Sequence, residues 1–339
     1  MKKEDLRIIF MGTPEFAVES LKSLVEGGYN VVAVVTQPDK PVGRHQDTLQ
    51  PSQVKQYALS QGLPVLQPVK MKDPEFVEEL RGYHADLQVV VAFRMLPEVV
   101  WDMPRFGTFN VHAALLPQYR GAAPINWAVI NGETETGVTT FFLDHDIDTG
   151  RIIMQKPFAI PDDADVEYVY DGLMHLGAEI AIETIDRLIA ADGNIDSMPQ
   201  EDMISTDTVL HSAPKIFKDT CRIDFRQPAK KVYDFIRGLS PYPGAWTEIQ
   251  KEGGKAQVLK IFKATKTGKA VSASSSNGSA TTSLSDNMVG TLRVEGKSLQ
   301  IACADEWLQL DTIQISGKKR MEARDFLNGM RDIEQYKSI

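Results

Sequence analysis

Hydrophobic residues in the first 206 positions alternate between short continuous runs and stretches with helical spacing. Short apolar runs rich in β-branched residues are typical of strands that are buried on both faces of a parallel sheet. Because helical stretches lie between several of these runs, the pattern predicts an α/β domain with a mostly parallel sheet. The predicted strands are residues 7–11, 31–35, 87–92, 108–112 and 138–143.

Two helices of this first part are predicted from apolar spacing and from the residues at their ends. The first begins after Thr13, whose hydroxyl is expected to cap free backbone N–H groups, and it ends at Gly27 and Gly28. The second extends from about residue 166 to residue 191, where apolar residues recur on one helical face. Both helices fit the alternation of strand and helix in βαβ units.

The pattern changes after about residue 206. One helix is predicted at residues 228–239, and short apolar runs separated by glycine turns follow it. Such runs are typical of a small antiparallel sheet or barrel. The predicted strands are residues 246–250, 257–263, 289–294, 299–303 and 307–315.

These changes predict one domain at residues 1–206, a second at residues 207–317 and a tail at residues 318–339. Phe326, Met330 and Ile333 in the tail indicate a short amphipathic helix. The Ser-rich segment at residues 272–286 has low complexity and is expected to be a loop.

Composition excludes several classes of protein. The 339 residues contain no apolar run near the ~18 residues that span a bilayer, and the first residues are too polar for a secretory signal. Cys221 and Cys303 are too few for a disulfide framework or a zinc site. We therefore expect a cytoplasmic, monomeric protein of about two domains, with no metal and no membrane partner.

The net charge of −9 is distributed unevenly along the chain. Residues 1–206 carry a net charge of −15, whereas residues 207–339 carry +6. A basic module beside an acidic one is typical of a protein that binds a polyanion with one domain. A lysine-rich solvated surface would give the same count, so charge alone leaves both interpretations open.

Two polar residues, Asn110 and His112, lie in the fourth predicted strand. Their spacing places both side chains on the same face, near the carboxyl edge where open α/β sheets bind ligands. Asp148 follows the next predicted strand and is expected to approach the same edge. An amide that donates N–H groups, an imidazole that transfers protons and a carboxylate that stabilises imidazolium suit acyl transfer. A structural role for a single histidine is the alternative.

Other motifs give weaker signals. Gly12 follows the first strand, but Pro14 and Ala17 replace the other glycines of a dinucleotide-binding loop. Residues 144–148 (DHDID) resemble the start of a calcium loop, yet Thr149 and Gln155 occupy positions that need glycine and glutamate. No nucleophile elbow is present, so covalent catalysis has little support.

Three stretches carry a resemblance to a known family. They are residues 110–127 (NVHAALLPQYRGAAPINW), residues 36–44 (TQPDKPVGR), and residues 213–216 (APKI) with 236–239 (IRGL) and 243–246 (PGAW). The matching stretches follow one another along the chain as they do in the family, and over about residues 5–317 the chain closely resembles the methionyl-tRNA formyltransferase family.

The resemblance implies a fold and a reaction. The fold is a Rossmann-like formyltransferase domain with a mostly parallel sheet, followed by a small antiparallel OB-like β-barrel domain. The reaction transfers a formyl group from 10-formyltetrahydrofolate, the co-substrate, to the α-amine of initiator methionyl-tRNA. The family's catalytic Asn, His and Asp correspond to Asn110, His112 and Asp148.

The resemblance also implies two sets of binding residues. Those that border the folate are Phe93, Arg94, Leu96, Pro97, Ala114, Leu115, Leu116, Pro117 and Asp144. Lys40 and Arg44 would contact the acceptor stem of the tRNA. The positive charge of the second half adds a further set, expected to line tRNA phosphates: Lys215, Lys218, Arg222 and Arg237.

Some positions depart from the family pattern, and three alternatives stay open. Phe93 and Arg94 replace Tyr and Gly, and an Arg at this position resembles the sequence of glycinamide ribonucleotide formyltransferase more closely. Ala114 replaces Ser, and residues 45–47 (HQD) are less basic than usual. The alternatives are a formyltransferase for a small amine (glycinamide ribonucleotide or an amino sugar nucleotide), a 10-formyltetrahydrofolate hydrolase and a non-catalytic RNA-binding protein.

Overall fold

The computed structural model describes residues 1–42, 48–271 and 288–339. Arg44 and the Ser-rich segment at residues 272–286 therefore lie outside the described residues. The chain forms two compact units. The N-terminal unit comprises Met1–Pro124, Glu135–Ala159 and Tyr170–Pro214, and the C-terminal unit comprises Ile125–Thr134, Ile160–Val169 and Lys215–Ile339.

The first 214 residues alternate short strands with helices. The elements are β1 Ile8–Gly12, α1 Glu15–Glu26, β2 Val31–Val35, β3 Lys40–Val42, β4 Thr48–Gln50, α2 Gln53–Ser60, β5 Val65–Leu66, α3 Pro74–Arg81, β6 Leu87–Val91, α4 Glu98–Trp101, β7 Thr108–His112, β8 Arg120–Gly121, α5 Pro124–Ile130, β9 Glu135–Phe142, β10 Ile152–Ala159, α6 Val166–Ala190 and β11 Ser212–Ala213.

The N-terminal unit is built around a seven-stranded sheet in the order β10-β9-β7-β6-β1-β2-β5. The five neighbouring strands β7, β6, β1, β2 and β5 are parallel, which confirms the mostly parallel sheet. Every residue of β1 and β6 is buried, as is typical of strands covered on both faces. The last two strands differ, since β9 is antiparallel to both β7 and β10. The carboxyl end of β9 therefore lies beside the amino end of β7.

Helix α1 begins differently from the sequence-based prediction. Pro14 is its N-terminal flanking residue, and no side chain caps the helix. The Thr13 hydroxyl instead faces the backbone N–H of Gln37, at 3.4 Å, and the hydroxyl of Thr36. The predicted capping role of Thr13 was therefore wrong, because its hydroxyl contacts the segment after β2. The helix ends at Gly27, as the glycine pair predicts.

The C-terminal unit is dominated by an antiparallel sheet, with the strand order β14-β15-β16-β13-β12-β18. A bridge between Thr291 and Lys337 brings the two outer strands together and nearly closes the sheet into a barrel. The antiparallel barrel is thereby confirmed. The elements are α7 Ala229–Gly238, β12 Ala245–Lys251, β13 Gln257–Ala270, β14 Leu292–Glu295, β15 Ser298–Ala302, β16 Glu306–Ile315, β17 Met321–Glu322, α8 Ala323–Gly329 and β18 Tyr336–Ser338.

The last residues of the chain belong to this barrel. A short helix is present at α8, and Phe326 and Ile333 are buried in the barrel core. Strand β18 pairs with β12, and β17 pairs with β16. Residues 318–339 therefore complete the sheet of the C-terminal unit and are more than a terminal helix.

Candidate active site

His112 lies at the end of β7, and its side chain is 6% exposed. Its Nε2–H donates to the carbonyl oxygen of Tyr119 at 2.9 Å, and its Nδ1 lies 3.8 Å from Oδ2 of Asp148. Both ring nitrogens face oxygen acceptors, an arrangement that a doubly protonated imidazolium can satisfy. The structure thus brings together two of the three predicted catalytic residues.

Asn110 precedes His112 by two residues in the same strand, so both side chains lie on one face of the sheet. Its Oδ1 is buried and has no hydrogen-bond partner among the residues that the structure describes. Leaving a buried polar atom unpaired costs about 1–3 kcal/mol. A bound molecule that hydrogen-bonds to this amide would remove that cost, so Asn110 fits a residue that binds a ligand.

Asp148 reaches His112 by a different route from the one predicted. Since β9 is antiparallel to β7, the loop at residues 143–151 starts beside the amino end of β7. The loop returns, with Asp148 in the left-handed region at φ 56°, and its Oδ2 accepts the backbone N–H of Gly121 at 2.9 Å. The proximity to His112 was predicted, but the reason given for it, a shared carboxyl edge, was wrong.

Two glycines allow the loops around Asp148 to approach closely. A Cβ added to Gly150 would overlap the carbonyl oxygen of Phe142, and one added to Gly121 would overlap that of Ala213. Gly121 also has φ 128°, a conformation that favours glycine. Its strand β8 pairs with β11 in a two-stranded parallel sheet. The loop that carries Tyr119 and Gly121 is therefore fixed by residues almost one hundred positions later.

Gln200 connects the same loops, and it was not among the residues predicted for the site. It is fully buried, and its Nε2 donates to the carbonyl oxygens of Asp148 and Gly150, both at 2.9 Å. Its Oε1 accepts from Nε and Nη2 of Arg120 at 3.0 and 2.6 Å. A single glutamine after a predicted helix gives no signal in the sequence from which these contacts could be predicted.

The segment predicted to border the folate after β7 is held by two polar side chains. Thr139 Oγ1 donates to the carbonyl of Ala114 at 2.6 Å and accepts the N–H of Leu116 at 3.1 Å. Gln155 Nε2 donates to the carbonyl of Leu116 at 2.7 Å. Ala114, Leu116 and Pro117 are buried, whereas Leu115 is half-buried. The segment is therefore well fixed beside His112.

Arg94, in the second predicted folate segment, is engaged within the protein. Its guanidinium donates to the carbonyl oxygens of Pro68 and Val69, and burial lowers its pKa from the ordinary value. Leu96 is buried, and Phe93 and Pro97 are half-buried. The replacement of glycine by arginine thus ties this segment to residues 68–69.

Asp144 lies in the loop that leads to Asp148, and its side chain is exposed. Its Oδ1 accepts from the hydroxyl of Thr149 at 2.7 Å and from the N–H of Asp146 at 3.2 Å. These bonds shape the turn before Asp148. No group of three or more His, Cys, Asp or Glu side chains within residues 1–42, 48–271 and 288–339 could hold a metal ion.

The predicted tRNA contacts fall into two groups. Lys40, Lys215, Lys218 and Arg222 are exposed, and Arg222 lies 3.5 Å from Glu248. Arg237 is only 6% exposed, and it pairs with buried Asp234 at 2.8 Å and donates to the carbonyl of Ala164. Its prediction as a phosphate contact was therefore wrong, because its guanidinium is used inside the C-terminal unit.

Replacing Arg237 by alanine is expected to lower the free energy of unfolding by about 3 kcal/mol. The expected value lies at the lower end of the range for breaking a buried pair, since Lys230 also contacts Asp234, at 2.6 Å. Chemical denaturation measures the change. Lys215→Ala is the control and should alter stability by no more than about 0.5 kcal/mol. Wild-type stability of Arg237→Ala would contradict the structural role.

The cysteines do not provide a nucleophile. Burial raises the pKa of Cys221, and it raises that of Cys303 to about 12. Both thiols therefore stay protonated near neutral pH. Across the described ranges, no helix combines the length and apolar character needed to span a bilayer.

Comparisons with known proteins show the family of this chain. The formyl transferase family model matches residues 6–185, and the model of the formyl transferase C-terminal domain matches residues 215–331. The chain is 60% identical to methionyl-tRNA formyltransferase of Parabacteroides distasonis over 337 residues, which cover 99% of each chain. It is 55% identical to that of Bacteroides fragilis over 338 residues, again 99% of each.

A solved structure is similar in fold. It is an N-formyltransferase from Helicobacter canadensis in complex with folinic acid and dTDP-3-aminofucose, with a TM-score of 0.59 and 19% sequence identity. The match covers 90% of this chain and 98% of that one. At this identity the likeness shows a shared fold only.

Proposed function

Since the chain belongs to the methionyl-tRNA formyltransferase family, we propose that it transfers a formyl group from 10-formyltetrahydrofolate to the α-amine of initiator methionyl-tRNA. The observation that carries the proposal is the approach of Asp148 to His112, 3.8 Å from Oδ2 to Nδ1. Asn110 lies on the same face of β7 as His112, and its Oδ1 is buried and unpaired among the described residues. The relatives that share 55–60% identity over nearly their whole length support the same reaction.

The residues beside His112 suit a folate co-substrate. Thr139 and Gln155 fix the backbone of the segment at residues 114–117. Since this segment is already ordered, little conformational entropy is lost when a ligand binds against it. The unpaired Oδ1 of Asn110 can accept an N–H of the acceptor amine, and the Nδ2–H groups of the same amide can donate to the formyl oxygen. Binding of the folate along Phe93–Pro97 and Ala114–Pro117, with Asp144 at the rim, is part of this proposal.

Asn110, His112 and Asp148 have different roles in the proposed reaction. When bound, the folate supplies an activated formyl carbon, which the acceptor amine attacks to give a tetrahedral centre with an oxyanion. Asn110 and protonated His112 stabilise this oxygen. His112 gives its proton to the departing folate nitrogen and takes up the proton that the attacking amine loses, so that the imidazole ends the reaction in its starting state. Asp148, at 3.8 Å, stabilises the imidazolium charge.

The C-terminal unit, which includes residues 215–339, is proposed to bind tRNA through its basic surface. Lys215 and Lys218 are exposed, and neither has a carboxylate partner within the described residues. Their ammonium groups lie over the rings of Phe217 and Trp246. Arg222 lies over the same Trp246 ring. Because they have no carboxylate partner, Lys215 and Lys218 are available to phosphates, and such contacts position an RNA without reading its sequence.

The affinity for tRNA is expected to fall steeply as salt concentration rises. Replacing Lys215 and Lys218 by alanine should reduce the slope of log affinity against log salt by about one for each lysine that neutralises a phosphate. Titration of tRNA binding at several salt concentrations measures this slope. Lys72→Ala, which removes an exposed charge from the N-terminal unit, is the control. A flat slope for the wild type, or an unchanged one for the double variant, would contradict the proposal.

A single assay distinguishes the proposed acceptor from the alternatives. The enzyme is incubated with 10-formyltetrahydrofolate carrying a labelled formyl group and with methionyl-tRNA, glycinamide ribonucleotide or water alone. We expect label on methionyl-tRNA at a rate far above those of the other two. Transfer to glycinamide ribonucleotide, or release of formate alone, would favour a small-amine formyltransferase or a hydrolase and overturn the proposal.

A further inference from the structure

We propose that Gln200 is a positioning residue for Asp148, and this inference rests on the proposed function. Its carboxamide has two N–H donors and two acceptor lone pairs, and all four are used. Both donors go to carbonyls of the Asp148 loop, and both lone pairs receive N–H groups of Arg120. Gln200 therefore bridges the two loops that meet at Asp148.

The bridge acts where the carboxylate is held. Arg120 immediately precedes Gly121, whose backbone N–H donates to Oδ2 of Asp148. On the other side, Gln200 bonds to the backbone of Asp148 itself, which has the left-handed conformation. The distance between the loops thus determines whether the carboxylate faces His112, and Gln200 fixes this distance from both sides.

Gln200 is itself held in place by backbone pairing. Met198, two residues before it, pairs with Ile152 through two backbone hydrogen bonds of 2.8 Å. Ile152 is the first residue of β10, which directly follows the Asp148 loop. The side chain is fully buried and does not depend on a surface contact for its orientation. A rigid residue of this kind can hold a loop in one geometry.

A polar residue that only stabilises the fold would give a different signature. Loss of a purely structural bridge lowers stability. The factor by which it lowers kcat would then multiply with the factor caused by any catalytic substitution. A residue that acts only through Asp148 gives effects that do not multiply, because the carboxylate it positions is already gone. The double-mutant cycle between Gln200 and Asp148 therefore separates the two roles.

The test uses Gln200→Met, which removes all four bonds, and Gln200→Glu, which is isosteric and keeps the acceptor for Arg120. In both variants the donors to Asp148 and Gly150 are removed. We expect kcat to fall about 10–10²-fold, as for a small misplacement of a catalytic group, with KM for the folate changed by less than about threefold. In the Asp148→Asn background, Gln200→Met should cost less than about threefold more.

A control variant and a second variant of Gln200 show whether a loss of kcat is specific to the Gln200 bridge. Gln88→Met removes another fully buried carboxamide of the same unit and should leave kcat within about twofold of wild type. If Gln200→Met does not fold, as judged by circular dichroism, the Glu variant carries the test. Wild-type kcat in a folded Gln200 variant, or a full loss repeated in the Asp148→Asn background, would overturn the inference. An active Asp148→Asn enzyme would instead overturn the proposed mechanism.

Discussion

His112→Ala is expected to lower kcat for formylation of methionyl-tRNA by about 10²–10⁴-fold, the usual effect of losing general acid–base catalysis. The imidazole is nearly buried and lies between the Tyr119 carbonyl and the Asp148 carboxylate. Initial rates at saturating folate and tRNA measure the loss. The variant should still fold, because the change removes a ring from the site and leaves the strand backbone intact.

His175→Ala is the matched control for this prediction. His175 lies on α6 with its side chain 61% exposed, and the carboxylate of Glu19 lies 3.8 Å from its ring. Its loss should leave kcat within about twofold of wild type. Near-wild-type turnover in His112→Ala would remove the imidazole from the mechanism.

Asn110→Ala is expected to lower kcat by about 10²–10³-fold, the usual effect of removing one oxyanion donor. The stability of the free protein should change little, since the Oδ1 of Asn110 has no partner to lose among the described residues. The combination of a large loss of rate with a small loss of stability distinguishes a ligand-binding amide from a structural one. Steady-state kinetics and thermal unfolding of the same preparation measure both quantities.

Asn194→Ala provides the control for the amide. Asn194 lies just after α6, in the same unit, and is exposed, so its removal should change neither quantity appreciably. If Asn110→Ala were strongly destabilised but catalysed at the wild-type rate, the amide would have a structural role. The proposed oxyanion contact would then be wrong.

The central strands could be predicted from sequence because their apolar runs are short and continuous. Residues 31–35 and 108–112 form β2 and β7 with the predicted bounds. The direction of β9 could not be predicted in this way, since an apolar run carries no information about its neighbours. Pairing between Asn110 and Phe141 is a tertiary contact. The route by which Asp148 reaches His112 is therefore visible only in the structure.

The candidate site was predicted as far as its residues lie in one local pattern. The shared face of Asn110 and His112 follows from strand periodicity. The hydrogen-bond partners of Gln200, in contrast, lie 50 to 80 positions away from it in the sequence. Arg237 shows the opposite error. Its position in a helix rich in basic residues suggested an exposed cation. Its guanidinium is instead buried and donates to Asp234 and to the carbonyl oxygen of Ala164. Charge in a sequence does not reveal which cations already have internal partners.

The most direct measurement for the central claim is a crystal structure of the enzyme with 5-formyltetrahydrofolate, a stable carrier of the formyl group. We predict that the formyl oxygen lies about 2.7–3.1 Å from the amide of Asn110, with His112 beside the formyl carbon and Asp148 still facing the imidazole. A folate bound with its formyl group beyond reach of Asn110 and His112 would contradict the account.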